Sequence, residues 1–273
     1  MSSSAETRTG CADLTFARRG GRTVLAHSRV EAPMTLVRPF GLPDGRQLVQ
    51  LITLGPGFCG GDVVRLCITA GEGAGVVVTT TAATRILSMH PGMHAEQRVE
   101  ITAARGATIE YYPAVTIPFP DSAFVQTVSV HATPGARVGV METWALGRTA
   151  RGEYLDFRSL SNRTTLHVDG DLAYADATEL EPDAVQLTGA AVLGGRRYLA
   201  TGFWYGATIP DEPRDGAADD DLLMAFAQSR PEIAYLRALA GDAPALDAAL
   251  RRVTDRVAAA WALAPVPLDR FHC

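Results

Sequence analysis

The sequence contains no lysine, because all 25 of its basic residues are arginine. This absence excludes enzymes that form a Schiff base on lysine and nucleotide-binding proteins that need a P-loop lysine. Acidic residues outnumber basic ones, and the formal net charge is −5. Binding of nucleic acid requires a concentrated basic surface, so the charge argues against that class of partner.

Long apolar runs and paired cysteines are also missing. No uninterrupted apolar stretch reaches the length needed to span a bilayer, and the first ten residues lack the apolar core of a signal peptide. The sequence therefore predicts a cytoplasmic protein that makes no membrane contact. The four cysteines (Cys11, Cys59, Cys67 and Cys273) are then expected to be free thiols, and without C-x-x-C spacing they predict no structural zinc site.

A glycine-rich stretch lies between two apolar runs, at residues 54–62, with the sequence Leu-Gly-Pro-Gly-Phe-Cys-Gly-Gly-Asp. Branched apolar runs at residues 48–54 and 63–68 predict strands, so the stretch is predicted to be a tight, exposed loop held from both sides. Its last residue, Asp62, allows two interpretations. The carboxylate either closes the turn by accepting backbone hydrogen bonds or is presented to a metal or a partner.

An imperfect repeat follows this loop. The pattern apolar-x-Ala-x-x-Gly-Ala-x-apolar-x-apolar starts at Ile68, Ile101 and Val130, at intervals of 33 and 29 residues. Each copy predicts a strand, a turn that needs small residues, and a second strand of period two. Such units stack because one unit alone cannot bury its apolar face. We therefore expect a mainly β fold of stacked β-hairpin layers, forming a flattened two-layer β-helix or sandwich-like body with a small C-terminal helical part.

Four segments are predicted along the chain: a disordered N-terminal tail at 1–12, a β-layered body at 13–209, an acidic loop or linker at 210–221, and a helical region at 222–273. Within the body, residues 190–205 predict a strand pair around Gly194 and Gly195. Residues 222–227 and 231–240 predict short helices. A final amphipathic helix is predicted from apolar residues at helical spacing, namely Leu246, Leu250, Val253, Val257 and Trp261.

Five motifs follow one another in a fixed order. The first is a G-G-x-x-G-G-D signature, matched by Gly57, Gly60, Gly61 and Asp62, with Pro56 in place of one glycine. The second is a T-x-Q-A-A-T-[KR] run at residues 79–85, which ends at Arg85 and has Thr in place of Gln. The third is matched by Ser88, Gly92, Ala95 and Gln97.

The fourth motif, E-W-x-P-x-x-T-I-x-F, is matched by Glu110, Pro113, Thr116, Ile117 and Phe119. The fifth, L-G-R-x-A-x-G-E, is the cleanest and includes Arg148 and Glu153. Together these motifs resemble the urease accessory protein family called UreD or UreH. The segment after about residue 180 matches poorly, and Asp176-Ala177 stands where the family has an Asp-Arg pair.

The resemblance implies a maturation factor and not an enzyme. Members of that family act with a helical accessory protein (UreF) and a nickel-handling GTPase (UreG) on apo-urease. The resemblance implies that the complex delivers nickel ions to the urease active site and that the family protein passes nickel through itself. The resemblance also implies a two-layered β-helical fold with a small helical appendage. We expect no permanently bound cofactor, only transient binding of nickel.

Few residues suit nickel. The metal accepts carboxylate and imidazole ligands, so Asp62, His90 and His94 are the candidate ligands. His90 and His94 flank a Pro-Gly turn, together with Met89 and Met93. Two imidazoles make only a weak, exchangeable site, and the alternative interpretation is a solvated loop.

The remaining residues of interest in and near the motifs are interpreted without a role in nickel binding. Cys59 is interpreted as a small side chain that fills the loop. Arg148 and Glu153 are predicted to pair and fix their turn. Gly57, Gly60, Gly61 and Arg85 are motif residues for which the sequence predicts no chemistry of their own.

Two other functions remain open at this stage. A β-helix with acidic residues is also found among polysaccharide lyases and sugar-binding proteins, whose sites need clustered carboxylates or rows of exposed aromatics. Aromatic residues make up only 7% of this chain, and no carboxylate cluster recurs at the repeat period. The remaining alternative is a pure assembly scaffold that never contacts nickel.

Overall fold

The computed structural model describes residues 8–209, 221–266 and 268. Strands dominate these ranges, and the one α-helix within them is α1 (Ala243–Ala260). The mainly β fold with a C-terminal helical part, expected from the sequence, is confirmed. Residues 1–7 and 210–220, which hold most of the predicted tail and acidic linker, lie outside the described residues.

The described strands form two sheets. Sheet 1 contains β1 (Thr9–Arg19), β2 (Arg22–Glu31), β6 (Val63–Ala70), β9 (Ala95–Ala103), β12 (Ala123–Ala132), β14 (Ser159–Val168) and β15 (Asp171–Leu180). Sheet 2 contains β3 (Met34–Leu36), β4 (Phe40–Gly41), β5 (Gln47–Thr53), β7 (Gly75–Thr80), β8 (Thr84–Ile86), β10 (Thr108–Tyr111), β11 (Thr116–Pro118), β13 (Arg137–Ala145), β16 (Tyr198–Tyr205), β17 (Leu222–Arg230) and β18 (Ile233–Ala240). The spatial order is β15-β14-β12-β9-β6-β1-β2 in sheet 1 and β17-β18-β16-β13-β10-β7-β5-β3 along sheet 2.

The repeat builds the β-helix. The first strand of each copy lies in sheet 1 and the second in sheet 2, so the two do not pair with each other as a hairpin would. Instead, each strand pairs in parallel with the equivalent strand of the next copy, and Ile68, Ile101 and Val130 are direct neighbours. The alanine after each turn glycine is buried at all three positions (Ala74, Ala107 and Ala136). Small residues thus permit the sharp passage from one sheet to the other.

Apolar side chains fill the space between the sheets, and α1 covers the other face of sheet 2. Asp242 caps the N-terminus of α1, and its side chain accepts a hydrogen bond from the Ala245 amide at 2.8 Å. Its buried face contains the predicted residues Leu246, Leu250, Val253 and Val257, and Trp261 follows at the C-cap. The amphipathic packing helix is therefore confirmed.

The two short helices predicted at 222–227 and 231–240 are wrong. These residues form the antiparallel strands β17 and β18, and β18 pairs with β16 along its whole length. Short apolar runs do not distinguish helix from strand by periodicity alone. Here the edge of β16 selects the strand conformation, because the backbone groups along that edge need hydrogen-bond partners.

Two smaller predictions are also corrected. Residues 190–197 form turns and irregular chain, so β16 is the only strand of the pair predicted at 190–205. The predicted tail at 1–12 overlaps β1, which begins at Thr9 and pairs in parallel with β6. That pairing buries Ala12 and the alternate residues after it.

Candidate functional site

The glycine-rich loop at residues 54–62 connects β5 to β6 as predicted, but it is exposed only over residues 54–56. From Gly57 onward the chain turns into the protein. Gly57 has a φ of 146°, and a Cβ atom on it would lie 2.4 Å from the carbonyl oxygen of Arg85. The Phe58 amide donates to that oxygen at 2.8 Å. Glycine at position 57 therefore allows the loop to pair with β8.

The glycine-rich loop also contacts the loop at residues 88–94, which carries His90 and His94. A Cβ atom on Gly60 would lie 3.0 Å from the Cβ atom of Met93, so a larger residue would push the two loops apart. The Gly61 amide donates to the carbonyl oxygen of His94 at 2.8 Å. The structure thus places these two loops in contact, which the sequence did not predict.

The imidazoles of His90 and His94 are exposed, but their loop is held by its backbone. The guanidinium of Arg158 donates to the carbonyl oxygens of His90, at 3.2 Å, and Met93, at 2.8 Å. Its Nε atom donates to the carbonyl oxygen of Asp121 at 2.9 Å. Arg158 belongs to none of the five motifs, so no sequence pattern predicted this role.

Asp62 is buried, with only 1% of its surface exposed. Its Oδ1 atom accepts the Arg8 amide at 3.1 Å, and its Oδ2 atom accepts the Arg8 guanidinium at 2.5 Å and the Cys59 amide at 2.8 Å. The same guanidinium donates to the carbonyl oxygen of Gly57 at 2.7 Å. Arg8, which precedes β1, therefore ties the start of the fold to the glycine-rich loop.

These contacts are those of the turn-closing interpretation of Asp62. Burial raises the pKa of Asp62, but hydrogen bonds from Arg8 and Cys59 outweigh it and leave that pKa below its ordinary value. Within the described part of the chain, no group of three or more His, Cys, Asp or Glu side chains is placed to hold a metal. Nickel binding by Asp62, His90 and His94 stays a prediction.

Replacing Asp62 with alanine is expected to lower the free energy of unfolding by about 2 kcal/mol, because several donors, one of them charged, lose their acceptor. Urea denaturation at neutral pH measures the change. Glu31→Ala is the control, since the side chains of Glu31 and its partner Arg29 are at least half exposed. That control should cost less than about 1 kcal/mol. Equal losses in the two variants would contradict the structural role of the buried carboxylate.

The predicted pair of Arg148 and Glu153 is confirmed. Arg148 Nε donates to Glu153 Oε2 at 2.7 Å, and a second guanidinium nitrogen donates to Oε1. The guanidinium carbon lies 4.2 Å from the ring centroid of Phe119, a residue of the fourth motif. This pair closes the turn around a short 3-10 helix, Thr149–Arg151. Arg85 contributes differently, because its side chain is exposed and its carbonyl group makes the contact.

A second set of polar residues lies between the two sheets. Gln97, Gln126, Asn162 and Thr178 are direct neighbours on four adjacent strands of sheet 1. Glu142 faces this line from β13 in sheet 2, with 3% of its surface exposed. A line of polar side chains therefore crosses a core whose buried side chains are mostly apolar.

Glu142 is a buried carboxylate whose hydrogen-bond partners are neutral. Its Oε2 atom accepts the Asn162 amide at 3.0 Å, and its Oε1 atom accepts the Gln126 amide. No ion pair to Glu142 is found among the residues that the structure describes. Burial raises the pKa of Glu142 to about 7, although hydrogen bonds from Asn162, Gln126 and Thr164 oppose the increase. Glu110, another fully buried carboxylate, differs because it pairs with a guanidinium.

Small cavities lie on both sides of Glu142. One, of about 10 Å³, has Gln97 and Gln126 among its polar lining residues together with Glu142. The other, also of about 10 Å³, is lined by Glu142 with Asp176 and Thr201. Each has room for about one water molecule. Glu142 therefore separates two polar cavities in the interior of the β-helix.

The repeat itself carries a signal for this interior set, at a position outside the Ala-x-x-Gly-Ala frame. Gln97 and Gln126 stand four residues before Ile101 and Val130, at the same position of successive copies. In a strand, residues an even number apart share a face, so both glutamines point inward with the apolar residues. A polar residue at an inward position breaks the apolar pattern and marks a site to inspect.

The motifs and the β-helical fold point to one family, and comparison with known proteins decides it. The family model described as UreD urease accessory protein matches residues 8–273. The chain belongs to the UreD family. The match includes the segment after residue 180, where the motifs alone match poorly.

Individual UreD relatives support the same conclusion. Urease accessory protein UreD of Deinococcus radiodurans is 32% identical over 252 residues, which cover 92% of this chain and 90% of that protein. Urease accessory protein UreD 1 of Synechococcus is 37% identical over 192 residues, covering 70% and 72%. Urease accessory protein UreD 2 of Streptomyces griseus is 35% identical over 223 residues, covering 79% and 75%.

Membership in the UreD family assigns the protein a role in urease maturation. The relatives are named as accessory proteins, which agrees with a role other than catalysis. Among the described residues, no helix is both long and apolar enough to cross a membrane.

Proposed function

We propose that this protein assembles with a UreF-like helical protein and a UreG-like GTPase on apo-urease, and that it passes nickel ions through its β-helix toward the urease active site. The observation that supports the proposal is Glu142, a buried carboxylate with neutral partners and a cavity on either side. The GTPase partner requires GTP, so we place this work in the cytoplasm. Nickel is cargo here and not a resident cofactor.

The chemistry around Glu142 suits a passing cation. A carboxylate that is ionised in a low-dielectric interior without a cation is costly, and a metal ion entering beside it offsets that cost. The Oδ1 atom of Asn162 and the Oγ1 atom of Thr178 are buried and have no hydrogen-bond partner among the residues that the structure describes. Carboxylate and amide oxygens are hard ligands, from which nickel exchanges more readily than from thiolate.

The size of the cavities limits what can pass. Each holds about one water molecule, so a nickel ion with its full hydration shell does not fit. Passage requires that fixed oxygens of the protein replace most of the bound water, as carbonyl oxygens do in ion channels. The polar line in sheet 1 and the carboxylate of Glu142 in sheet 2 supply such oxygens.

One end of the proposed path adjoins the surface beside α1. A cleft of about 360 Å³ lies there, and Pro113, Ala114 and Thr143 line both this cleft and the small cavity next to Glu142. Asp247 of α1 also lines the cleft. The cleft is therefore the place where ions are proposed to exchange with a partner protein.

Glu142→Gln tests the proposal, because it removes the charge and keeps the size of the side chain. The variant is co-expressed with the urease subunits and the other accessory proteins. Urease nickel content and activity are expected to fall by about tenfold or more, the factor for losing one charge-assisted contact. Co-purification of the accessory complex with apo-urease should be unchanged.

Glu100→Gln is the matched control, since Glu100 lies on the outer face of sheet 1 with 47% of its side chain exposed. It should activate urease normally. If Glu142→Gln assembles and activates like the unmodified protein, the protein is an assembly scaffold without nickel contact. If Glu142→Gln fails to assemble, Gln126→Glu is added to that variant. The added substitution returns a carboxylate from the facing strand, and the double variant shows whether this carboxylate restores urease activation.

A further inference from the structure

An ion pair between Asp176 and Arg237 stands at the other end of the interior path. The Arg237 guanidinium donates to Asp176 Oδ1 at 2.5 Å. Asp176 lies in β15, the last strand of sheet 1, and Arg237 lies in β18 of sheet 2. The pair therefore joins the two sheets where the β-helix ends.

The pair is in line with Glu142. Glu142, Thr201 and Arg237 are direct neighbours on three adjacent strands of sheet 2, and Asp176 neighbours Thr164 in sheet 1. Asp176 also lines the same small cavity as Glu142. Its side chain is 23% exposed, whereas that of Arg237 is 48% exposed. The carboxylate thus faces the interior while the guanidinium reaches solvent.

We propose that Asp176 is a second divalent-cation site of the path, and that Arg237 occupies it as a tethered cation until an arriving ion displaces it. This inference rests on the proposed function of Glu142. The guanidinium serves in the resting protein as the positive charge that a metal ion supplies during passage.

Charge and exposure both favour this exchange. Two carboxylates that share a water-sized cavity repel each other unless a cation is present, and Arg237 supplies that cation in the resting protein. A half-exposed ion pair is weakly held, so the guanidinium can leave for water without stranding a buried charge. A divalent ion interacts with a carboxylate more strongly than a delocalised single charge does.

Isothermal titration of the full-length protein with Ni²⁺ tests the site through a double-mutant cycle. Arg237→Gln removes the tethered cation, so binding at one site should tighten by about fivefold. Asp176→Asn should abolish that site, and the double variant should bind as Asp176→Asn does. Unchanged Ni²⁺ binding in Arg237→Gln, or a gain that survives in the double variant, would overturn the proposal.

Two further variants separate this mechanism from general electrostatics. Arg237→Lys keeps a tethered cation and should bind Ni²⁺ like the unmodified protein. Arg163→Gln removes an exposed guanidinium directly opposite Ala177, the neighbour of Asp176, and should change nothing. Equal gains in Arg163→Gln and Arg237→Gln would reject the site, because any lost positive charge would then suffice. Thermal melts confirm that each variant is folded.

The outcomes also distinguish this inference from the proposed function. The conduit fails if Glu142→Gln assembles normally and supports full urease activation. The Asp176 site fails on the titrations alone, whatever the activation assay shows. If Glu142→Gln blocks activation while the double-mutant cycle of Asp176 and Arg237 shows no coupling, the proposed path through Glu142 is retained and the cation site at Asp176 is rejected.

Discussion

Replacing Gly57 with alanine is expected to destabilise the protein by about 4 kcal/mol, because strain at a special backbone conformation and a steric clash act together. Gly57 has a φ of 146°, which side-chain-bearing residues rarely adopt. A Cβ atom would also lie 2.4 Å from the carbonyl oxygen of Arg85. That oxygen accepts the Phe58 amide, so it cannot move away without losing the loop's pairing with β8.

Gly92→Ala is the matched control for Gly57→Ala. Gly92 also has a positive φ, of 83°, but a Cβ atom there would meet no atom of the described residues within 4 Å. The control therefore reports backbone strain alone and should cost about 1 kcal/mol. Chemical denaturation of both variants gives the difference. Similar losses would show that the Arg85 carbonyl imposes no packing constraint, and the close approach of the loop to β8 would then be without energetic consequence.

Glu142→Gln is expected to stabilise the protein above neutral pH and to remove a large pH dependence. Burial raises the pKa of Glu142 to about 7 from an ordinary value of 4.5. The folded protein therefore holds a proton on this group at pH values where the unfolded chain has lost it. The resulting stabilisation is fully present below about pH 4.5 and is lost as the pH rises through about 7, a change of about 3 kcal/mol.

Urea denaturation at acidic and alkaline pH measures this effect. The unmodified protein should lose about 3 kcal/mol more than Glu142→Gln does between pH 4.5 and pH 8. The glutamine can be accommodated, because the Oδ1 atom of Asn162 has no partner in the described part of the chain and the Asn162 amide can rotate to accept a hydrogen bond. Parallel stability curves for the two proteins would show that Glu142 does not titrate in this range.

The two experiments on Glu142 together give a sharper result than either alone. A variant that is more stable, assembles normally and fails to activate urease has lost a charge that the fold does not need. Such a trade between stability and activity is typical of functional groups buried in a core. A variant that loses stability together with assembly would instead assign Glu142 a structural role.

The sequence alone determined the family and the course of the β-helix, because both depend on local patterns. The repeated Ala-x-x-Gly-Ala frame specifies the turns, whose glycines Gly73, Gly106 and Gly135 all have positive φ. Apolar residues of period two then specify which side of each strand faces the core. The buried face of α1 followed from its helical spacing in the same way.

Only the tertiary structure decided what the polar residues do, because their partners are distant in sequence. The sequence left open whether Asp62 closes its turn or is presented to a metal or partner, whereas in the structure Arg8, which the sequence placed in a tail, reaches it from 54 positions away. Glu142 stood in no motif, and it became a candidate only when strand register set it opposite Gln126 and Asn162. Register across strands is fixed by the packing of whole sheets, and no local pattern encodes it.

The segment at 222–240 shows the same limit for secondary structure. Its short apolar runs suit a helix or a strand, and the edge of β16 selected the strand by offering backbone hydrogen bonds along β18. The free energy of that choice comes from contacts between elements, such as the packing of β18 against α1, and not from the residues of the segment alone. Local sequence thus determines the turns and the side of each strand that faces the core. Long-range pairing determines which strands lie at the sheet edges, which charges are buried and where the proposed path runs.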